Sequence, residues 1–198
     1  MNKGKSKKRA LTRDYLVRAT YNYLQRFATT EKNLAQVLDR KVRRRLSEAG
    51  TEADYQADEG EQYAQAQEWI EDIVQKAVQQ NLVNDRQYAA ARAMSLARSG
   101  NAKSMIAQKL QAKGVSSDTV AEVMQELTEQ HHDMDLSAAV KYARKRRFGA
   151  FSSRHDGREV VEKELASMCR AGFSYGLASK VLKMTTEELE DILYQAKF

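Results

Sequence analysis

The sequence predicts an all-α protein built from tandem three-helix repeats that stack into an elongated, curved molecule. Three observations carry this prediction. The 198 residues include no proline and only 9 glycines, so the turn residues that β sandwiches and barrels need are scarce. Apolar residues recur with helical spacing over almost the whole chain. A pattern of apolar anchor, glycine and following apolar pair occurs twice, and short helical units of this kind bury their faces on their neighbours.

The N-terminal part of the chain is expected to form an arm and one repeat. We expect residues 1–10 to form a basic flexible arm, because five of them are lysine or arginine. Residues 11–83 predict the first three-helix repeat, in which Thr29 or Thr30 can cap the second helix. Apolar periodicity is lost over about 48–60, where acidic residues collect, and this stretch predicts an acidic loop inserted in the repeat. The stripes expected before the insertion are Leu16, Ala19, Tyr23, Leu24 and Phe27, then Leu34, Val37, Leu38, Val42 and Leu46.

The same arrangement is expected twice more. We expect residues 84–130 to form the second three-helix repeat and residues 135–183 to form the third. Gly114 and Gly172 each follow an apolar anchor by four residues, which is typical of a left-handed cap at the end of a helix. Residues 184–198 predict an extra C-terminal helix that opens with a capping box. The stripe expected for the first helix of the second repeat is Tyr88, Ala91 and Met94.

The charge is concentrated at one end of the chain. The formal net charge is +6, yet residues 1–50 alone carry 14 Lys and Arg against 4 Asp and Glu, so this end attracts polyanions or acidic protein surfaces most strongly. The basic N-terminus lacks the apolar segment of a secretory signal, and no apolar run approaches the length of a membrane span. The lone Cys169 has no partner for a disulfide within the chain. We therefore expect a cytoplasmic monomer with no membrane partner.

Patterns that would indicate catalysis or a cofactor are scarce. His131 and Asp135 have a spacing that could hold a metal, but Asp135 is expected to begin the next helix, and a solvated histidine is the favoured interpretation. Residues 99–104 lack the first glycine and the preceding strand of a phosphate loop. Nucleophile elbows, paired-cysteine zinc spacings and dinucleotide fingerprints do not occur. The sequence predicts a protein that is not an enzyme and needs no cofactor or metal.

Three basic clusters are the candidate binding residues. One closes the second helix, one runs through the second repeat, and one closes the seventh helix, where most of its cations are expected to be exposed. The helix dipole and ordinary solvation explain single cations at such positions, but not runs of consecutive ones. We interpret the clusters as contacts for nucleic acid or for an acidic protein surface, and the sequence leaves open which cluster contacts which. The candidates are Arg43, Arg44, Arg45, Arg92, Arg98, Lys103, Lys109, Lys113, Arg144, Lys145, Arg146 and Arg147.

Three segments resemble the RecX family of regulatory proteins. Residues 81–88, Asn-Leu-Val-Asn-Asp-Arg-Gln-Tyr, resemble the family's Gly-Tyr-Leu-Asp-Asp-x-x-Phe segment, with asparagine replacing the glycine and the first aspartate. Residues 108–115, Gln-Lys-Leu-Gln-Ala-Lys-Gly-Val, resemble its Glu-Leu-x-x-Lys-Gly-Val/Ile stretch, and 170–173, Arg-Ala-Gly-Phe, resemble the Arg-Gly-Tyr/Phe close of its final repeat with one alanine inserted. The similarity covers about residues 12–183, in the family's order.

The resemblance implies a function. Members of the family bind RecA recombinase filaments on single-stranded DNA, lie in the filament groove, and inhibit ATP hydrolysis, strand exchange and coprotease activity, which modulates DNA repair, recombination and the SOS response. The alternative is a stand-alone basic helical protein that binds DNA. A filament regulator should bind recombinase–DNA filaments far better than bare DNA, whereas a DNA-binding protein should show a steep salt dependence on DNA alone.

Overall fold

The computed structural model describes residues 10–49, 56–131, 133–152 and 157–195. These residues form ten α-helices and a short 3-10 helix at Gly149–Phe151, with no strand among them, which confirms the all-α prediction. Within these ranges no helix has the length and apolar character needed to cross a membrane. The helices are α1 (Arg13–Leu24), α2 (Glu31–Ala49), α3 (Gln56–Gln79), α4 (Asp85–Arg98), α5 (Lys103–Ala112), α6 (Ser117–Gln130), α7 (Met134–Arg146), α8 (Arg158–Arg170), α9 (Tyr175–Lys183) and α10 (Thr186–Gln195).

The described residues up to Tyr88 form one compact unit. Helices α1, α2 and α3 pack on one another around a core in which Leu16, Leu34 and Leu38 are fully buried. The Thr30 hydroxyl accepts a hydrogen bond from the backbone N–H of Asn33 at 3.1 Å. This bond caps α2 and confirms the predicted threonine cap.

The acidic loop predicted at 48–60 is too long. Helix α2 continues through Glu48 to Ala49 and α3 begins at Gln56, so only residues 50–55 lie between the two helices, and these are outside the described residues. Gln, Ala and Glu favour helix without contacting a core, and Gly60 and Glu61 in the first turns of α3 are exposed. The loss of apolar periodicity over 56–60 therefore marks the beginning of α3 rather than a loop.

The described residues from Ala89 onward form a second compact unit. Helix α5 packs on α6, while α7, α8, α9 and α10 surround a further core. Leu110 on α5 is fully buried, Val123 on α6 is nearly so, and Met168 on α8 and Val181 on α9 fill the second core. Leu110 is the apolar anchor that precedes Gly114 by four residues, and the structure buries it.

The phase predicted for α4 is wrong. Ala91, expected in the apolar stripe, is exposed, and Tyr88 and Met94 are only half-buried. Alanine fills five positions of this helix, so its sequence carries little contrast between a buried and an exposed face. The residues buried instead are Ala89, Ala93, Leu96 and Ala97.

Five of the described helices end in the same capping geometry. In each, one residue adopts a left-handed conformation, and the N–H of the next residue reaches back to a carbonyl five residues earlier. Val115 N–H donates to the Leu110 carbonyl at 3.3 Å, and Phe173 N–H to the Met168 carbonyl at 3.2 Å. This Schellman geometry satisfies carbonyls that the helix itself leaves unpaired, and it confirms the predicted glycine caps. The left-handed residues are Asn81, Gly100, Gly114, Arg147 and Gly172.

Candidate nucleic-acid interface

The structure divides the predicted Arg43–Arg45 cluster between two faces of α2. Arg43 is tied to α3: its Nε donates to Asp39 Oδ2 at 2.8 Å, and its guanidinium lies over the Tyr63 ring at 5.0 Å. Arg44 and Arg45 instead border a cleft beside α1. Successive helical residues point about 100° apart, and here α3 engages Arg43 while Arg44 and Arg45 line the cleft.

Asp39 is the centre of the network that holds Arg43. Besides Arg43, the Tyr63 hydroxyl donates to Asp39 Oδ1 at 2.8 Å and Gln67 Nε2 donates to the same oxygen at 2.9 Å. Burial opposes ionisation of this carboxyl, but the three hydrogen bonds outweigh it and hold the pKa of Asp39 below its usual range. Arg43 therefore serves the packing of α2 on α3, whereas Arg44 and Arg45 lie on the side of α2 that borders the cleft.

Helices α1 and α2 border an open cleft of about 1090 Å³. No carboxylate among the described residues lines it, whereas eight cationic or aromatic side chains do. Positive charge concentrated in a cleft whose described lining holds no carboxylate favours an anionic ligand; the nearby carboxylate of Glu48 meets Arg44 at 3.7 Å. We call it the α1–α2 cleft; its cations are Arg18, Arg26, Lys41, Arg44 and Arg45, and its aromatic residues are Tyr15, Tyr23 and Phe27.

The aromatic rings of the α1–α2 cleft are held in place. The Arg45 guanidinium lies 4.2 Å from the centroid of the Tyr15 ring, a cation–π distance. The centroids of Tyr23 and Phe27 are 5.1 Å apart with the rings tilted by 37°. Asn33 Nδ2 donates to the Tyr23 hydroxyl at 3.1 Å and so fixes that ring.

Phe27 is exposed, although the sequence predicts it to be buried. It was expected in the buried stripe of α1, but α1 ends at Leu24 and the Phe27 side chain is 54% exposed. The chain turns at Gln25 and Arg26, so the helical phase of α1 does not extend to Phe27. The turn places the ring at the cleft rather than in the core.

The sequence did not indicate Arg18, Arg26 or the aromatic residues of the cleft as binding residues. These cations stand singly in the chain and converge only because α1 pairs with α2. The spacing of Arg18 and Asn22 on α1 was the available signal, since residues four apart share a helical face; Arg26 lies in the turn after the helix.

The cations of the middle cluster are distributed over α4 and α5. Lys109 Nζ donates to Asn101 Oδ1 at 2.5 Å, so Lys109 is engaged within its own unit. The backbone N–H of Lys103 donates to Asp135 Oδ1 at 2.9 Å. The members of this cluster are Arg92 and Arg98 on α4, Lys103 and Lys109 on α5, and Lys113 at the C-cap of α5.

The cluster at the end of α7 is brought together at the surface. Arg144, Lys145, Arg146 and Arg147 are all exposed, as predicted for this helix end. The Arg146 guanidinium lies 5.6 Å from the centroid of the Tyr142 ring. Four consecutive cations within one helical turn and its cap make a compact positive patch.

The residues weighed for metal chemistry are not assembled into a site. His131 is the C-cap of α6, and Asp135, in the first turn of α7, accepts the hydrogen bond from Lys103. In the described ranges no group of three or more His, Cys, Asp or Glu is placed to hold a metal ion. Cys169 is half-buried on α8.

An all-α fold with exposed basic clusters defines a class of helical protein whose surface suits anionic partners. Residues 84–124 match the family described as RecX, second three-helix domain. The regulatory protein RecX of Myxococcus xanthus (strain DK1622) is 39% identical over 91% of this chain and 90% of its own length, and that of Agrobacterium fabrum (strain C58 / ATCC 33970) is 36% identical over 87% and 84%. The chain belongs to the RecX family of regulatory proteins.

Solved structures share the fold. A crystal structure of RecX from Lactobacillus salivarius has a TM-score of 0.58 at 19% identity and covers 90% of this chain and 96% of its own. A second, described as a crystal structure of regulatory protein RecX, has a TM-score of 0.61 at 19% identity over 87% of this chain and 72% of its own. These likenesses extend the helical-repeat architecture to this chain.

Proposed function

We propose that this chain is a non-catalytic regulator that binds RecA recombinase filaments on single-stranded DNA and inhibits their ATP hydrolysis, strand exchange and coprotease activity. Its membership of the RecX family supports this function. In this proposal the chain modulates DNA repair and recombination by occupying the filament and not by transforming a substrate.

The observation that carries the proposal is the patch formed by Arg144, Lys145, Arg146 and Arg147. A recombinase filament on DNA carries many phosphates and is a polyanion. Each cation of the patch is attracted by the filament phosphates that lie within a Debye length of it, about 8–10 Å at physiological salt, and the attractions of the four cations add. The patch lies at the end of α7, where its charges are not consumed by packing. Loss of any one cation is expected to matter less than loss of the four together.

Co-sedimentation distinguishes this function from stand-alone DNA binding. The protein is mixed with recombinase filaments on single-stranded DNA, or with the naked strand, at two salt concentrations. The proposal predicts that filaments retain the protein at the higher salt, while the naked strand releases it. Equal binding to both, with the same steep salt dependence and no inhibition of ATP hydrolysis, would identify a DNA-binding protein instead.

A further inference from the structure

We infer that the α1–α2 cleft is a binding site for single-stranded DNA, in which an unpaired base stacks on Phe27 and neighbouring phosphates meet the cations of the cleft. The choice of DNA over RNA rests on the proposed function. The assignment of the cleft itself rests on its geometry and applies to the protein without recombinase.

The charge of the cleft suits a flexible polyanion. Five cations line one concavity, and they come from both of its walls: Arg18 and Arg26 from the α1 side, Lys41, Arg44 and Arg45 from α2. Within the described ranges Arg44 pairs with Glu48, at 3.7 Å and with both side chains more than half exposed, and an exposed pair of this kind is weak. Several phosphates along a strand can therefore be neutralised at once without breaking a strong ion pair.

The aromatic rings point to bases. Phe27 is exposed, yet its ring packs on Tyr23, and its backbone N–H donates to the Tyr23 carbonyl at 3.0 Å. Tyr23 in turn is held by Asn33, whose Nδ2 also donates to Thr29 Oγ1 at 2.8 Å. An exposed aromatic ring fixed in this way is a stacking surface that loses little conformational entropy when a base covers it.

Other ligands fit the cleft less well. A duplex hides the faces of its bases, so it cannot stack on Phe27 without being opened. An acidic peptide would satisfy the cations but would leave the exposed ring of Phe27 without a specific partner. Only an unpaired strand uses both the cations and the exposed ring, which is the combination found in proteins that bind single strands.

The first test uses a fluorescent oligothymidylate of about ten nucleotides and the full chain without recombinase. Fluorescence anisotropy is expected to show that Phe27→Ala weakens binding roughly 5- to 150-fold, the cost of about one lost stacking contact. Tyr21→Ala is the matched control, because Tyr21 is an exposed aromatic residue of α1 that lines a different cavity with Arg13. Its binding should equal that of the parent.

The second test addresses the phosphates. The triple variant Arg18→Gln, Arg26→Gln, Arg44→Gln is expected to reduce the slope of log affinity against log salt by about 2, since each phosphate contact with a single strand contributes about 0.7. Arg43→Gln is the control, because Arg43 neighbours Arg44 in the chain but contacts Asp39 and Tyr63. Circular dichroism confirms that each variant is folded.

The third test reports stacking directly. In a Trp69→Phe background, Phe27→Trp places the only tryptophan at the cleft. Oligothymidylate should quench its fluorescence, and the quenching should persist at saturating ligand in high salt, because stacking and not charge causes it. A strand held by charge alone would leave the emission of this tryptophan unchanged.

The outcomes separate this inference from the proposed function. If the parent fails to bind the oligonucleotide, or if the Phe27 and triple variants bind as the parent does, the cleft is not a single-strand site, even where inhibition of the recombinase persists. If these variants lose filament binding but keep oligonucleotide binding, the cleft contacts protein and the inference is wrong. If cleft-dependent oligonucleotide binding occurs without any effect on a recombinase, the inference holds and the proposed function fails.

Discussion

Asp85 Oδ1 accepts a hydrogen bond from the backbone N–H of Glu31 at 2.9 Å, so that a side chain at the start of α4 caps the start of α2. The same relationship recurs in the second unit, where Asp135 Oδ1, at the start of α7, accepts from the backbone N–H of Lys103 at the start of α5. In both cases the aspartate lies in the first turn of its own helix and satisfies a free N–H of an earlier one.

These two bonds should each contribute measurably to stability. We expect Asp85→Ala and Asp135→Ala to lower the free energy of unfolding by about 1 kcal/mol each, the usual cost of a lost helix cap. Urea denaturation followed by circular dichroism measures the change. Asp118→Ala, which removes an exposed first-turn aspartate of α6, is the control and should cost less than either; equal losses at all three sites would refute the capping role.

Asp39 should make stability depend on pH. Its pKa is held below that of an unfolded aspartate because hydrogen bonds from Arg43, Tyr63 and Gln67 outweigh the effect of burial. As the pH falls, the unfolded chain takes up the proton first, so the contribution of Asp39 is complete above about pH 4 and is lost on further acidification. We expect Asp39→Asn to cost about 1 kcal/mol at pH 7, with the difference from the parent shrinking below pH 4.

The pKa of the Asp39 carboxyl should lie below the ordinary aspartate value, and that of the Asp85 carboxyl should lie above it. Burial raises the pKa of Asp85, although its hydrogen bond from the Glu31 N–H acts the other way. Folding therefore favours the protonated form of Asp85. The stability that this form contributes is complete below the pKa of an unfolded aspartate and is lost as the pH rises through the higher pKa of the folded state. Carboxyl ¹³C chemical shifts recorded against pH measure both pKa values. Titration of the two carboxyl groups with the same midpoint would contradict the prediction.

Arg147 has a Cβ but occupies a left-handed backbone conformation that favours glycine, so its replacement by glycine should stabilise the protein. Its φ is +58°, whereas the corresponding left-handed caps of α4, α5 and α8 are glycines. Because a residue with a Cβ pays about 1 kcal/mol in this conformation, Arg147→Gly should raise the free energy of unfolding by about that amount. Thermal unfolding checks the direction. Gly172→Ala is the converse: its Cβ would lie 2.5 Å from Ser104 Oγ, so a loss of stability is expected there.

The helices could be predicted from sequence because apolar spacing and glycine caps are local signals. Leu110 and Gly114 lie four residues apart in one helix and its cap, and the structure places both as expected. Ala91 was misplaced because an alanine-rich helix offers no contrast between faces. The start of α3 was missed because periodicity carries no information where residues are exposed, as Gly60 and Glu61 near its start are.

The candidate site was predicted only in part, for geometric reasons. Exposure of the residues from Arg144 to Arg147 followed from their place after an apolar stripe. The division of Arg43 from Arg44 and Arg45 depends on the packing of α2 between α1 and α3, which no run of charges reveals. Arg18 joins the same cleft only through that packing.

The measurement that tests the central claim most directly is inhibition of recombinase ATP hydrolysis on single-stranded DNA by a variant in which Arg144, Lys145, Arg146 and Arg147 are all changed to glutamine. The residues are exposed, so the fold should be retained. Its control carries the same loss of charge at four other exposed cations, Lys32, Arg158, Lys180 and Lys183. We expect the control to inhibit like the parent, and the first variant to inhibit weakly and with a flatter salt dependence. Inhibition equal to the parent's at every salt concentration would contradict the account.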